Sequence, residues 1–199
     1  MSEAATDALP DAATSSGAAS ILDRAADTAL SLAADRPWVE ISLRDIAVAS
    51  GVGFAELYAK APGKTALLER LAERLDRAAL NTAELEPAGA PHDRLFEAVM
   101  ARLEAMEPHR AALIAIGRAE GLAALGPRLP RTARALLEAA GIDSSGLKGA
   151  ARIAAMTAVW LRILVVWRDD EGALNRTMAE IDKQLKQMQS ALNRIRAGY

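Results

Sequence analysis

Apolar positions recur every three or four residues along most of the chain, and proline, glycine and serine clusters separate the helices they predict. Ile21, Leu22, Ala25, Ala29 and Leu32 share one face of a first helix over about 18–34. Arg36-Pro37 ends it, because a residue before proline is pushed out of the helical region. Ser42-Leu43-Arg44-Asp45 fits a capping box and opens a short helix over 42–49 with Leu43, Ile46 and Ala47 inward. Gly51-Val52-Gly53 breaks that helix, and a second short one runs from Phe54 to Lys60. Pro62-Gly63 then opens a long helix through about 82, with Leu68, Leu71, Leu75 and Ala78 as its inner stripe.

Beyond a loop at Glu86-Pro87-Ala88-Gly89, helices are predicted over about 91–106, 108–122 and 128–140. Pro91, Pro108 and Pro130 stand near their starts, where a missing N–H costs little. A turn cluster from Gly141 to Gly146 leads into a helix over about 147–168, almost wholly apolar from Ile153 to Trp167 and broken chiefly by Arg162. In the last helix Leu174, Met178, Ile181, Leu185, Met188, Leu192 and Ile195 are spaced 4, 3, 4, 3, 4, 3, a heptad seam expected against a near-parallel neighbour. That neighbour is either the preceding helix of the same chain or the copies of both helices in a second subunit, packed as a four-helix bundle; periodicity leaves both open. Residues 1–17 are small, acidic and Ser/Thr-rich without apolar periodicity, and read as a disordered arm.

Composition sharpens the class. The 199 residues include 46 Ala against 2 Phe, 2 Tyr and 3 Trp, a balance that points to an all-α protein. No cysteine is present, so disulfides, thiolate metal sites and cysteine nucleophiles are excluded. His92 and His109 lie far apart in the chain, read as surface residues, and argue against a histidine metal cluster. The net charge of −2 argues against bulk attraction to nucleic acid but not against a local contact surface. The N-terminus shows no signal-peptide pattern, and the apolar run Ile153–Leu161 falls short of the roughly 20 residues that span a bilayer, so a soluble cytoplasmic protein without a transmembrane segment is expected.

A capped short helix, a glycine-centred turn and a second short helix outline a helix–turn–helix. Within Ile41–Leu68, the residues Ser42, Leu43, Ile46, Ala47, Gly51, Val52, Leu57, Tyr58, Lys64 and Leu67 stand at the places typical of one pattern, which resembles the N-terminal domain of TetR-family transcriptional regulators. The resemblance covers about residues 20–80. It implies an all-α Ω-shaped homodimer of about nine helices per chain, with a three-helix DNA-binding head over 18–64 and a helical ligand and dimerisation domain over 65–199. The DNA-contact candidates are Ser42, Arg44, Gly53, Phe54, Glu56, Tyr58, Lys60 and Lys64. Gly51 supplies the positive φ of the turn, while Tyr58, Lys60 and Lys64 are placed to hold phosphates beside a major groove.

At the head of the second helix the chain departs from the family. Gly53, Phe54, Ala55 and Glu56 stand where polar or basic residues usually read base edges, and Ala61 replaces the usual phenylalanine. Residues 42–64 hold three cations and two acids. A second resemblance bears on this. Over residues 158–185, Trp160, Val166, Trp167, Asp169, Thr177, Met178, Asp182 and Leu185 match the end of the TetR-like ubiquinone-biosynthesis auxiliary family. It implies a bundle that holds isoprenoid lipid and a partner enzyme instead of DNA.

Two functions therefore stand: a DNA-binding repressor answering an apolar small molecule, and a lipid- or partner-binding auxiliary protein with a vestigial helix–turn–helix. Trp160, Leu164, Trp167, Leu174, Met178, Ile181 and Leu185 are the dimer-interface candidates, Trp160 and Trp167 being read as core or dimer packing before ligand contact. Arg152 and Arg162 read as snorkelling to solvent, with ligand pairing the alternative. Ala61-Pro62-Gly63-Lys64-Thr65 is not a phosphate-binding P-loop, since Tyr58 stands where that motif needs glycine. No nucleophile, base and orienting group assemble, so no enzyme, cofactor or metal is expected.

Overall fold

The computed structural model describes residues 12–85, 89–170 and 174–197. Among these there is no strand and there are nine α-helices: α1 (Ala12–Asp35), α2 (Leu43–Ser50), α3 (Phe54–Lys60), α4 (Lys64–Leu85), α5 (Pro91–Met106), α6 (Arg110–Leu125), α7 (Leu129–Ala139), α8 (Gly146–Arg168) and α9 (Asn175–Ala197). Single 3-10 turns occupy Trp38–Glu40 and Glu107–His109. Helix α1 begins at Ala12, so residues 12–17 of the expected arm are helical; residues 1–11 lie outside the described residues. Ala12, Ala13, Ala18 and Ala19 are strong helix formers, and extending a helix already nucleated downstream costs little.

Helices α1, α2 and α3 form a head, and α4 runs from it into a body where it packs on α5 and α7; α7 packs on α8, and α8 and α5 on α9. No chain break separates head from body at residue 65, because that position lies in the first turn of α4. One continuous apolar cluster extends from Ala25 through Leu57, Leu71, Leu103 and Leu136 to Leu185. The inner stripe of α4 runs through Leu67, Leu68, Leu71, Leu75 and Ala79, so Ala79 replaces the expected Ala78.

The first part of the α9 seam is met within the chain. Thr177, Ile181 and Leu185 are buried, Met188 packs on the same core, and the neighbours are α8 and α5. Trp160, Trp167, Ile181 and Leu185 thus belong to the chain's own core rather than to a subunit interface, while Leu164, Leu174 and Met178 are half-buried. A heptad reports a parallel or antiparallel neighbour without saying whose it is. Trp167 is fixed from the side by the turn before α6: its indole N–H donates to Glu107, and the Arg110 guanidinium lies 4.6 Å from its ring centre.

Helix α8 has a second face that no described residue covers: Leu147, Ala150, Ala151, Ala154, Ala158 and Val165 are exposed. By length and composition α8 is also apolar enough to cross a membrane. The nine-residue run understated it, because it stops at Arg152 and Arg162 while apolar residues resume at Ile163 and continue to Trp167.

Among the described residues the body buries two charged side chains, Arg102 and Asp170. Arg102 of α5, 5% exposed, donates to the Asp76 carboxylate of α4 at 2.7 Å and to the Thr132 hydroxyl of α7 at 3.3 Å. Its guanidinium lies 4.7 Å from the ring centre of Trp160 on α8. Four helices thus meet on one cation.

Head and body are also stapled on the surface. Arg70 forks onto Asp23 with bonds of 2.8 and 2.9 Å, and one turn further Arg74 reaches Asp27 at 2.6 Å. The Arg70 hydrogen bonds hold the Asp23 carboxyl below its ordinary value of 3.8, against the opposing effect of burial. A depressed folded pKa gives stability that is complete above the unfolded value and is lost as pH falls through the folded one. Asp23→Asn is therefore expected to lower the melting temperature at pH 7 and to flatten the loss of stability below pH about 4. Melting curves of both chains between pH 7 and pH 2.5 check this.

Candidate nucleic-acid interface

The local chemistry of α2 fixes the geometry of α3. The Asp45 amide donates to the Ser42 hydroxyl at 3.1 Å, and the Ser42 amide donates to the Asp45 carboxylate at 2.8 Å, closing the capping box. The Ser42 amide and hydroxyl, both donating to the carboxylate at 2.8 Å, hold the Asp45 carboxyl below its usual range. At the other end Gly51 takes φ +65°, and the Val52 and Gly51 amides donate back to the Ala47 and Val48 carbonyls at 3.0 and 3.2 Å. This double bond across a left-handed glycine stops α2 and turns the chain sharply. Ile46, Ala47, Val52 and Leu57 are buried together and set the angle between the two helices.

Within α3 only Leu57 is buried; Phe54, Ala55, Glu56, Tyr58, Ala59 and Lys60 all face solvent. Tyr58 is 54% exposed with its ring 6.0 Å from that of Phe54, and Arg44 of α2 lies 5.3 Å from the Phe54 ring centre. Ser42, Arg44 and Gly53 are exposed on the same helix pair. Seven of the eight predicted contacts are thus presented outward.

Lys64 is the exception. Its ammonium donates to the Trp38 carbonyl at 2.8 Å and sits 4.3 Å from the centre of the Trp38 ring. Burial pulls its pKa below the ordinary lysine value, opposed by the carboxylate of Glu120. A cation committed to a carbonyl and an indole face is a structural residue, and the phosphate role read for Lys64 is corrected accordingly. The cations left at the surface of the pair are Arg44 and Lys60.

The partner of this arrangement was not readable locally. The buried Trp38 donates its indole N–H to Glu120 of α6 at 2.6 Å, across 82 residues. The next residue, Gly121, has φ +71° and ψ 177° and kinks α6. Helix α6, which also packs on α1 of the head, is therefore broken immediately after this bond. Between α8 and α9, Asp170 caps the first turn of α9. Burial raises its pKa, but the Thr177 hydroxyl and amide, both donating at 2.7 Å, outweigh that and hold it low. Asp169 instead pairs with Arg168 at the surface.

Neither a family model nor a curated protein matches the chain, so the resemblance of residues 158–185 stands on its own residues. Solved structures do match. A TetR transcriptional regulator from Nitrosomonas europaea ATCC 19718 superposes with a TM-score of 0.66 at 24% identity, covering 85% of this chain and 98% of that one. A TetR transcriptional regulator from Rhodococcus sp. RHA1 gives 0.65 at 17% identity, with 87% and 97% covered. The chain has the TetR fold. Thermus thermophilus FadR, a TetR-family transcriptional repressor solved in complex with lauroyl-CoA, shares it at a TM-score of 0.57 and 15% identity over 84% of this chain and 93% of its own. The all-α reading from sequence is borne out.

Proposed function

We propose that the chain is a homodimeric, DNA-binding transcriptional regulator of the cytoplasm, a repressor whose hold on DNA answers an apolar small molecule, and not an enzyme. The observation that carries it is the complete exposure of α3 around a single buried anchor, Leu57, on a capped and glycine-locked turn. A helix held rigidly at its base and bare on its outer face can enter a major groove. Tyr58, Lys60 and Arg44 would meet phosphates, and Glu56 could accept from a cytosine amino group. The uncovered face of α8, with the half-buried Leu164 beside it, is the surface on which a second copy would pack. The link from Glu120 to Trp38, followed by the kink at Gly121, is the route by which a change in the body would move the head.

Mobility shift of the chain with the DNA upstream of its own coding region tests this. Retention is expected to fall steeply with salt, each neutralised phosphate contributing a slope of about −0.9. Lys60→Ala, present in both subunits, is expected to flatten the slope by about 2. Tyr58→Ala is expected to weaken binding about tenfold, the cost of a phosphate hydrogen bond made twice. No shift at low salt would sink the proposal.

A second reading on the same scaffold, a lipid- or partner-binding auxiliary protein, is favoured by the exposed Phe54 and Ala55 and by the inward turn of Lys64. Together these leave a thin reading surface. Mass spectrometry of an organic extract of the purified chain separates the two, since co-purified isoprenoid in the absence of any DNA shift favours the auxiliary protein.

A further inference from the structure

At the end of the body remote from α3, the starts of α5 and α8 and the second half of α9 enclose a cleft of about 670 Å³. Small-molecule sites run from roughly 300 to 1,000 Å³. The α9 and α5 sides are aliphatic, formed by Leu185, Met188, Leu192 and Leu95. The α8 side carries Lys148 and Arg152, one helical turn apart and so on one face, while His92 and Gln189 complete the polar lining. Among the described lining residues none is acidic. The Nε2 atom of His92 is buried with no hydrogen-bond partner, 3.7 Å from the Asp182 carboxylate, while Nδ1 lies 3.2 Å from that of Asp93. Arg152 is steadied by a bond of 2.6 Å from one terminal nitrogen to the Asp143 carbonyl. A guanidinium has five N–H donors, so one such bond orients it without exhausting it.

We infer that this cleft takes a small amphipathic acid, its carboxylate met by Lys148, Arg152 and the His92 ring and its saturated tail laid along the leucines of α9. The charge pattern selects that class. A wholly apolar occupant would leave the His92 nitrogen unmet and cover the Lys148 ammonium and the remaining Arg152 donors, and an inorganic anion would leave the leucine wall wet. An acid with an aliphatic tail satisfies both ends at once. The inference deepens the effector-responsive reading by naming its ligand class, and the site's own test needs no DNA.

Isothermal titration of the full chain with decanoate, and with decan-1-ol as the uncharged control, tests it. Decanoate is expected to bind once per chain and about tenfold or more tighter than decanol, the margin of a charge-assisted bond. Lys148→Ala and Arg152→Gln are each expected to weaken decanoate about five- to tenfold and to leave decanol unchanged. Leu192→Glu, at a half-exposed position of α9, is expected to abolish both while the melting temperature holds. Absence of saturable decanoate binding, or equal affinity of the two cation variants and the parent chain for decanoate, overturns the site. A chain that binds decanoate yet never retains DNA keeps the site and removes the repressor; one that retains DNA and ignores decanoate does the reverse.

Discussion

Arg102→Met is expected to destabilise the chain by about 3–5 kcal/mol, the cost of removing one partner from a buried ion pair. Methionine fills much of the same space, so the loss comes chiefly from the charge left behind. Asp76 would keep its carboxylate in the body with Thr132 as its remaining donor, and the Trp160 face would lose its cation. At roughly 2–4 °C per kcal/mol for a chain of this size, the melting temperature should fall by about 10 °C. The double variant Arg102→Met, Asp76→Asn should recover most of that, because replacing both charges removes the unmet desolvation. Thermal and denaturant unfolding of the three variants decide it; a single variant as stable as the parent chain would show that the pair contributes nothing. The position explains the size of the effect. Asp76, Arg102, Thr132 and Trp160 come from four different helices, so loosening this point releases α4, the helix the body shares with the head.

The second large effect is local to the head. Leu57→Ala is expected to cost about 2–5 kcal/mol, the range for deleting a fully buried leucine side chain. Leu57 is the sole buried side chain of α3 and lies among Ile46, Ala47 and Val52, so its loss detaches the helix rather than thinning a large core. Hydrogen exchange should accelerate across the amides of α2 and α3 while α5 and α8 keep their protection. DNA retention should disappear even though every outward residue of α3 is intact. Unchanged protection in α3 would mean that the capping box and the Gly51 turn hold the helix without its anchor.

Much of the fold was legible because its signals are local. Pro91 and the apolar spacing after it placed α5 at 91–106, and Gly53 with Phe54–Lys60 placed α3, both to the residue. The capping box at Ser42 and Asp45 and the positive φ of Gly51 depend on neighbours within five positions, and both were foreseen. What the sequence withheld is long-range. Lys64 carries a basic side chain at the start of a helix after a helix–turn–helix, and only the position of Trp38, 26 residues earlier, turns it inward. The Trp38–Glu120 bond spans two elements with no shared periodicity. The seam of α9 showed that a neighbour exists, but α8 and α5 of the same chain turned out to be that neighbour. His92 read as a surface histidine because it follows proline at a helix start, and the packing of α9 buries its Nε2.

The central claim is that two copies of this chain set their α3 helices into one duplex. Hydroxyl-radical footprinting on a duplex selected from a random pool tests it most directly. The account predicts two protected patches on one face of the DNA, centred about one helical turn or a whole multiple of it apart, with base positions inside each patch that tolerate no substitution. Failure of the pool to yield any retained sequence, or protection without phase or sequence, would contradict it.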